Sequence, residues 1–203
     1  SSVAATPDGR HLVATVSNPT EGLWTVPILA ERLAEEPDVK ALPLPTANSS
    51  APQIRADSLF YLSAAGAAEG VWRLDAGQST EIWKGSDGAV LAAPAVSPDG
   101  RKVAIVMRRD GKDRLHVLSA EGGELQTLAE TVDVRGGASW SPDGRWIAVG
   151  AATAGLFKVP TDGGAPVRLV ASAALNPVWS PDGSIIAYAG PNVSTFVPLL
   201  AVR

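Results

Sequence analysis

Four near-identical pentapeptides constrain this chain more than any other feature: "TPDGR" with its proline at Pro7, "SPDGR" at Pro98 and again at Pro142, and "SPDGS" at Pro181. Pro98 and Pro142 are 44 residues apart, and Pro142 and Pro181 are 39 apart. Pro7 and Pro98 lie 91 apart, about two periods, and "APQIRADSLFYLSA" supplies a worn copy between them, with Ala56 and Asp57 in the places of Pro and Asp. A period near 40 residues marks a repeat architecture, in which one supersecondary unit cannot bury its apolar face alone and stacks on the next.

The register inside each copy is tighter than the spacing between copies. Two residues before the proline stand Ala5, Val96, Trp140 and Trp179, with Ile54 in the worn copy; five residues after it stand Leu12, Val103, Ile147 and Ile186. Further apolar segments follow: "LWTV", "VWRL", "LHVL", "LFKV" and "LLAV", then "VKAL", "TEIW", "LQTL" and "VRLV". Short runs rich in Val, Ile, Leu and Trp, bounded by Gly, Pro, Asp and Asn, read as strands joined by hairpins. In the Pro-Asp-Gly turn, Pro pre-sets the dihedral of the second position, Asp bonds back to the backbone, and Gly leaves at positive φ. "AEGGE" at Ala120 and "TDGGA" at Thr161 close the outer hairpins in the same spirit.

These readings predict an all-β chain built as a β-propeller of four-stranded antiparallel blades, with four full blades plus most of a fifth. The expected blades are roughly 1–49, 50–90, 91–134, 135–173 and an incomplete 174–203, in a single domain. Trp140 and Trp179 are expected to pack between blades. An open arc would expose an apolar blade face, an association hazard; either a partner chain at that face, including self-association, or an unusual closure is expected.

Composition narrows the function classes. A net charge of −4 without any run of five like charges argues against a surface that tracks phosphates, so nucleic acid is not an expected partner. No stretch of about 18 apolar residues exists, so no membrane insertion is expected. The first residues, "SSVAATPDGR", lack the basic and apolar blocks of a signal peptide, and the sequence reads as a soluble one. The absence of cysteine removes disulfide and thiolate chemistry without fixing the compartment.

"SPDGRKVAIVM", "SPDGRWIAVG" and "SPDGSIIAYAG" resemble the WD40-like PD40 repeats of TolB-type β-propellers; the Gly-His and Trp-Asp pairs of true WD40 repeats do not occur. The resemblance covers nearly the whole chain and implies a piece of a larger, six-bladed ring. It also implies a choice of contexts: a periplasmic translocation protein, the extracytoplasmic propeller of a bacterial receptor-type serine/threonine kinase, or the substrate-gating propeller of a prolyl-oligopeptidase-type peptidase. The phrasing of "GLFKVPTDGGAPVRLV" is most similar to the kinase propellers. The expectation is a non-catalytic sensory or protein-interaction domain of a bacterial envelope protein, periplasmic or extracytoplasmic, with a protein or peptide partner.

Chemistry-bearing motifs are sparse. No Gly-x-Ser-x-Gly elbow occurs, and "GASWS" at Gly137, which comes nearest, falls in an inner strand. His11 and His116 are far apart in sequence and read as surface or hydrogen-bonded histidines, and no metal site is expected from two histidines without cysteine. Asp8, Asp99, Asp143 and Asp182 recur because the turn favours Asp. "RRDGKD", Arg108 to Asp113, lacks the acidic spacing of a calcium loop and reads as a hairpin with Asp110-Gly111 at its tip. No catalytic residue and no cofactor are expected. The charged insert "PILAERLAEEPDVKALP", from Pro27 to Pro43, departs from the repeat and reads as a long solvated hairpin. A binding face is expected at the rim opposite the Pro-Asp-Gly turns. Its candidates are Asp87, Asp133, Arg135 and Asn176 on loops entering inner strands, and Asn18, Arg108 and Arg109 on the others, all differing between copies.

Overall fold

The computed structural model describes residues 3–6, 9–18, 20–64, 69–85, 88–192 and 197–203. Pro7 and Asp8 of the first turn lie outside the described residues, as does Asp87. Every sheet is antiparallel and ordered as the chain runs. Blade 1 holds β1 (Val3–Ala5), β2 (His11–Asn18), β3 (Thr20–Pro27) and β4 (Lys40–Ala41). Blade 2 holds β5 (Ala47–Arg55), β6 (Ser58–Ala64), β7 (Glu69–Asp75) and β8 (Gln78–Trp83). In blade 3 the inner strand is split into β9 (Ala89–Val90) and β10 (Ala95–Val96), both paired to β11 (Lys102–Arg109), followed by β12 (Lys112–Ser119) and β13 (Gln126–Leu128). Blade 4 holds β14 (Arg135–Trp140), β15 (Trp146–Ala151), β16 (Gly155–Pro160) and β17 (Val167–Val170). Blade 5 has three strands, β18 (Leu175–Trp179), β19 (Ile186–Ala189) and β20 (Leu199–Val202). The inner strands β1, β5, β10, β14 and β18 touch in succession, so they gather along the axis and bound a channel, as a propeller requires.

The serine before each proline completes the turn in a way the sequence reading did not anticipate. Ser97 Oγ donates to Asp99 Oδ1 at 2.6 Å and accepts the N–H of Lys102 at 2.9 Å, while the Asp99 carboxylate accepts the N–H of Arg101 at 3.1 Å. Gly100 closes the turn through its N–H to Ser97 O and sits at φ +72°. The same set recurs at Ser141 and Asp143 and at Ser180 and Asp182. In the worn copy the connection is two residues shorter: Ile54 pairs with Leu59 where Val96 pairs with Val103, and Ala56 takes φ +48°.

Alternation along the strands buries both faces of each inner blade. On β6, Leu59 and Tyr61 join Val13 and Leu23 in the core between blades 1 and 2, while Phe60 and Leu62 face Val103, Ile105 and Met107 of blade 3. On β11, Ala104 and Val106 turn the other way, to Ile147 and Val149 of blade 4. Burying both faces explains why these strands read as continuous apolar runs. Trp140, 8% exposed, lies in that third core, and its Nε1–H donates across to Ala95 O at 2.9 Å, so the inter-blade reading holds for it. A fourth core joins blades 4 and 5 through Ala148, Leu156, Ile186 and Tyr188, with Trp179 packed on it. Among the described residues no such core joins blade 5 to blade 1. Leu12 is accordingly exposed on blade 1, unlike its counterparts Val103, Ile147 and Ile186, and Val178 and Leu199 are exposed on blade 5.

The insert after Pro27 leaves β3 on the rim that carries the Pro-Asp-Gly turns. A short 3-10 turn at Glu36–Asp38 is closed by Asp38, which accepts the Glu35 N–H at 2.9 Å and pairs with Arg32 at 2.6 Å. Those bonds, Arg32 foremost, hold the Asp38 carboxyl down at about 2.

Candidate binding rim

The rim opposite the turns is built from the β11–β12 hairpin and from the loops that enter inner strands. A two-residue tip, Asp110-Gly111, with both residues at positive φ, fixes the hairpin register so that Arg108 stands opposite Asp113. Asp113 is the centre of this rim. Its carboxylate, 2% exposed, accepts two bonds from Arg108, Nε to Oδ1 at 2.7 Å and Nη2 to Oδ2 at 3.0 Å, and a third from Arg135 Nη1 at 2.9 Å. Arg135 belongs to blade 4, so the carboxylate ties two blades together. The outer Nη2 of Arg135 reaches Asp133 at 3.1 Å. Arg114 braces the neighbouring loop through the backbone oxygens of Asp113 and Val132. Three arginines surrounding one carboxylate, with the Arg108 bonds foremost, hold Asp113 below the usual carboxylate range.

Of the residues expected at a binding face, the structure therefore brings Arg108, Asp133 and Arg135 into one network. Asn176, at φ +48° on β18, accepts the Gly137 N–H of blade 4 through Oδ1 at 2.8 Å, an inter-blade clasp close to Arg135 in sequence register. Arg109 is exposed at the hairpin end, paired in register with Lys112. Asn18 ends β2 on the same rim, away from this network, and Asp87 lies outside the described residues. Sequence reasoning missed Asp113, although the Asp-Gly tip and strand pairing were enough to set it against Arg108.

The turn aspartates behave as structural parts. Serine and backbone donors hold Asp99 and Asp143 below the usual range, and Asp182 down at about 2, with Ser180 the first cause. His116 is an interior histidine with one of its two ring nitrogens hydrogen-bonded. It is 4% exposed on β12; Nδ1 meets Thr127 Oγ1 at 3.1 Å, while buried Nε2 has no partner among the described residues. Burial, then the charges of Arg109 and Arg114, pushes its pKa down. Among the described residues no group of three or more His, Cys, Asp or Glu is placed to hold a metal ion, and no helix is long and apolar enough to cross a membrane.

Residues 61–197 match the family model of PD40, the TolB beta propeller domain. The chain belongs to this family. TolB of Acinetobacter baumannii superposes with a TM-score of 0.73 at 16% identity, covering 95% of this chain and 49% of that one. The oligogalacturonate lyase of Vibrio parahaemolyticus superposes with a TM-score of 0.72 at 16% identity, covering 92% of this chain and 57% of that one. At such identities the likeness is one of fold. Tricorn protease homolog 1 of Streptomyces coelicolor is 36% identical over 89 residues, which are 41% of this chain and 8% of that protein. The chain thus spans about half of the TolB structure and a small part of the curated relative.

Proposed function

We propose that this PD40 propeller is a non-catalytic interaction domain of a bacterial envelope protein, periplasmic or extracytoplasmic, binding a protein or peptide through the rim around Arg108 and Arg135. The observation that carries this reading is the shared carboxylate of Asp113. It fixes two guanidiniums from adjacent blades in place while leaving each about half exposed, at 50% and 42%. Pre-fixed arginines lose little freedom on binding and are favoured anchors at interfaces. The network commits Asp113 and Asp133 to ion pairs, which suits recognition rather than proton transfer. A sensory or scaffold role in a receptor-type kinase is one use of such a rim.

The test is site-specific photocrosslinking in envelope extracts of the source cells. A benzophenone side chain in place of Arg109 is expected to give a discrete adduct that excess unmodified protein competes away, and one in place of Glu121, off this rim, is expected to give none. Equal labelling from both positions, or none from Arg109, would count against the rim.

A second reading is favoured by the 36% identity to Tricorn protease homolog 1. On it, the propeller is a segment of a larger protease and filters what reaches a separate catalytic domain. A hydrolase segment encoded beyond Arg203 in the same reading frame is its deciding observation.

A further inference from the structure

Seven Asp-Gly pairs occur in the chain, and five of them, at Asp99, Asp110, Asp143, Asp162 and Asp182, lie within the described residues. An Asp-Gly pair is open to attack on the side-chain carboxyl by the next backbone nitrogen, because glycine has no Cβ to crowd that nitrogen or restrict its rotation. By sequence the five are equivalent. The fold separates them.

In four pairs both reacting groups are tied down. The turn carboxylates of Asp99, Asp143 and Asp182 accept from Ser97, Ser141 and Ser180 at 2.6, 2.6 and 2.5 Å, and from the N–H two residues on at 3.1, 3.0 and 3.1 Å. The nitrogens of Gly100, Gly144 and Gly183 each donate to the serine carbonyl at 2.9 Å. Asp162 accepts the Gly164 N–H at 3.3 Å, and the Gly163 N–H donates to Pro160 O at 3.3 Å. Cyclisation needs the nitrogen and the carboxyl carbon to approach each other, so groups held by other partners are kept from it. The three turn carboxyls are also held below the usual range, which depletes the neutral form that can lose water.

Asp110-Gly111 is the exception. Both residues are exposed at the tip of the β11–β12 hairpin, at φ +50° and +72°. Among the described residues neither the Asp110 carboxylate nor the Gly111 N–H takes part in a hydrogen bond or an ion pair.

We propose that Asp110-Gly111 is a site of spontaneous isoaspartate formation, and that the reaction releases the register holding Arg108 against Asp113. The Gly111 nitrogen gives its proton to solvent and bonds to Cγ of Asp110; the C–OH bond of the carboxyl breaks, and hydroxide leaves as water with a proton from solvent. This closes a five-membered succinimide. Water then adds at the Cα carbonyl and the bond from that carbon to the Gly111 nitrogen breaks, so the chain runs on through Cβ and Cγ. One water leaves and one enters, so the mass is unchanged. The main chain is one atom longer at a two-residue tip whose geometry sets Arg109 against Lys112 and Arg108 against Asp113. Asp113 also accepts from Arg135 of blade 4 at 2.9 Å, so the change reaches the neighbouring blade. This inference stands on the hairpin geometry and holds whether or not the rim meets a partner.

The experiment ages the 203-residue chain for weeks in neutral buffer, folded and in denaturing urea, beside Asp110→Gly. Glycine suits the positive φ of the tip and carries no carboxyl, and urea midpoints check that this variant stays folded. Isoaspartate is counted by methyl transfer from S-adenosylmethionine with an L-isoaspartyl methyltransferase, and is placed in the sequence by electron-transfer dissociation of Lys-C peptides. In the folded chain it should gather at Asp110 about tenfold or more faster than at Asp99, Asp143, Asp162 or Asp182. In urea the five should convert at comparable rates, since the fold no longer protects four of them. Folded Asp110→Gly should lose nearly all methyl acceptance. Hydrogen exchange of the aged parent should show a second, less protected population in peptides containing Arg108 to Arg114 and Arg135, its share matching the isoaspartate share. Equal conversion at the five folded sites, no conversion at Asp110, or the same preference for Asp110 in urea would overturn the assignment of the site. Protection unchanged in the converted molecules would overturn the loss of register.

Discussion

The side-chain oxygen of Asn176 on blade 5 accepts the backbone N–H of Gly137 on blade 4 at 2.8 Å. To do so Asn176 takes φ +48°, a conformation in which Asn is among the better-tolerated residues, and it sits where the β18–β19 register is irregular between Leu175 and Val178. Asn176→Ala removes the bond and leaves a Cβ-bearing residue in the left-handed region without local compensation. The expected loss is about 2 kcal/mol, against about 1 kcal/mol for Asn176→Gly, which relieves the dihedral. Urea unfolding of both variants measures the difference; equal losses would show that the dihedral carries none of it.

Asp113 joins blade 3 to blade 4 through Arg108 and Arg135. Asp113→Ala is expected to cost about 2 kcal/mol, less than the 3–5 of a fully buried pair because both guanidiniums are half in water. The sign of the pH dependence follows from the lowered pKa. The folded state binds the Asp113 proton less readily than the unfolded chain, so the contribution is present above the unfolded value near 4 and is lost as pH falls through the lower folded value. Denaturation midpoints measured down to about pH 3 should fall less steeply for Asp113→Asn than for the parent.

His116 titrates against the fold in a higher window. Its folded pKa is pushed down by burial, so the unfolded chain takes up a proton first as pH falls through the ordinary value near 6.5. Stability contributed by the neutral ring is therefore present above that value and erodes towards pH 5. His116→Gln can keep a bond to Thr127 and cannot be protonated. Its thermal midpoint should change less between pH 7 and pH 5 than that of the parent; an unchanged slope would show that Nε2 finds solvent when protonated.

The blade plan was legible because its determinants are local and repeated: a turn with fixed chemistry, and strands whose two faces both demand apolar residues. The breaks in the inner strands were not. Ala51 and Asn176 adopt positive φ within inner strands and β9 parts from β10 in blade 3; of these, Asn176 bonds to Gly137 of the neighbouring blade, a contact that local sequence does not announce. The hairpin pair Arg108 and Asp113 could be read from its Asp-Gly tip, but Arg135 comes to the same carboxylate from 22 residues away in another blade. Asp133 and Arg135 stood out only as loop polarity that varies between copies. The worn second copy was visible as a lapse in the motif, and its consequence, a connection two residues shorter with Ala56 at positive φ, needed the backbone itself.

Ser141 offers a test of how stability is shared along the array. Its hydroxyl donates to Asp143 and accepts the Trp146 N–H at 2.9 Å, in a blade packed on both faces. Ser180 makes the same bonds in blade 5, which packs on one. Ser141→Ala should cost about 1–2 kcal/mol from the loss of hydrogen bonds at the turn, and Ser180→Ala a similar amount locally. In a stacked array, stability is a sum of repeat and nearest-neighbour terms, so the inner lesion weakens two interfaces and the terminal lesion one. Native-state hydrogen exchange should therefore show protection falling in blades 3 to 5 for Ser141→Ala and in blade 5, with the adjoining face of blade 4, for Ser180→Ala. A uniform fall in both variants would mean that the five blades unfold as one unit.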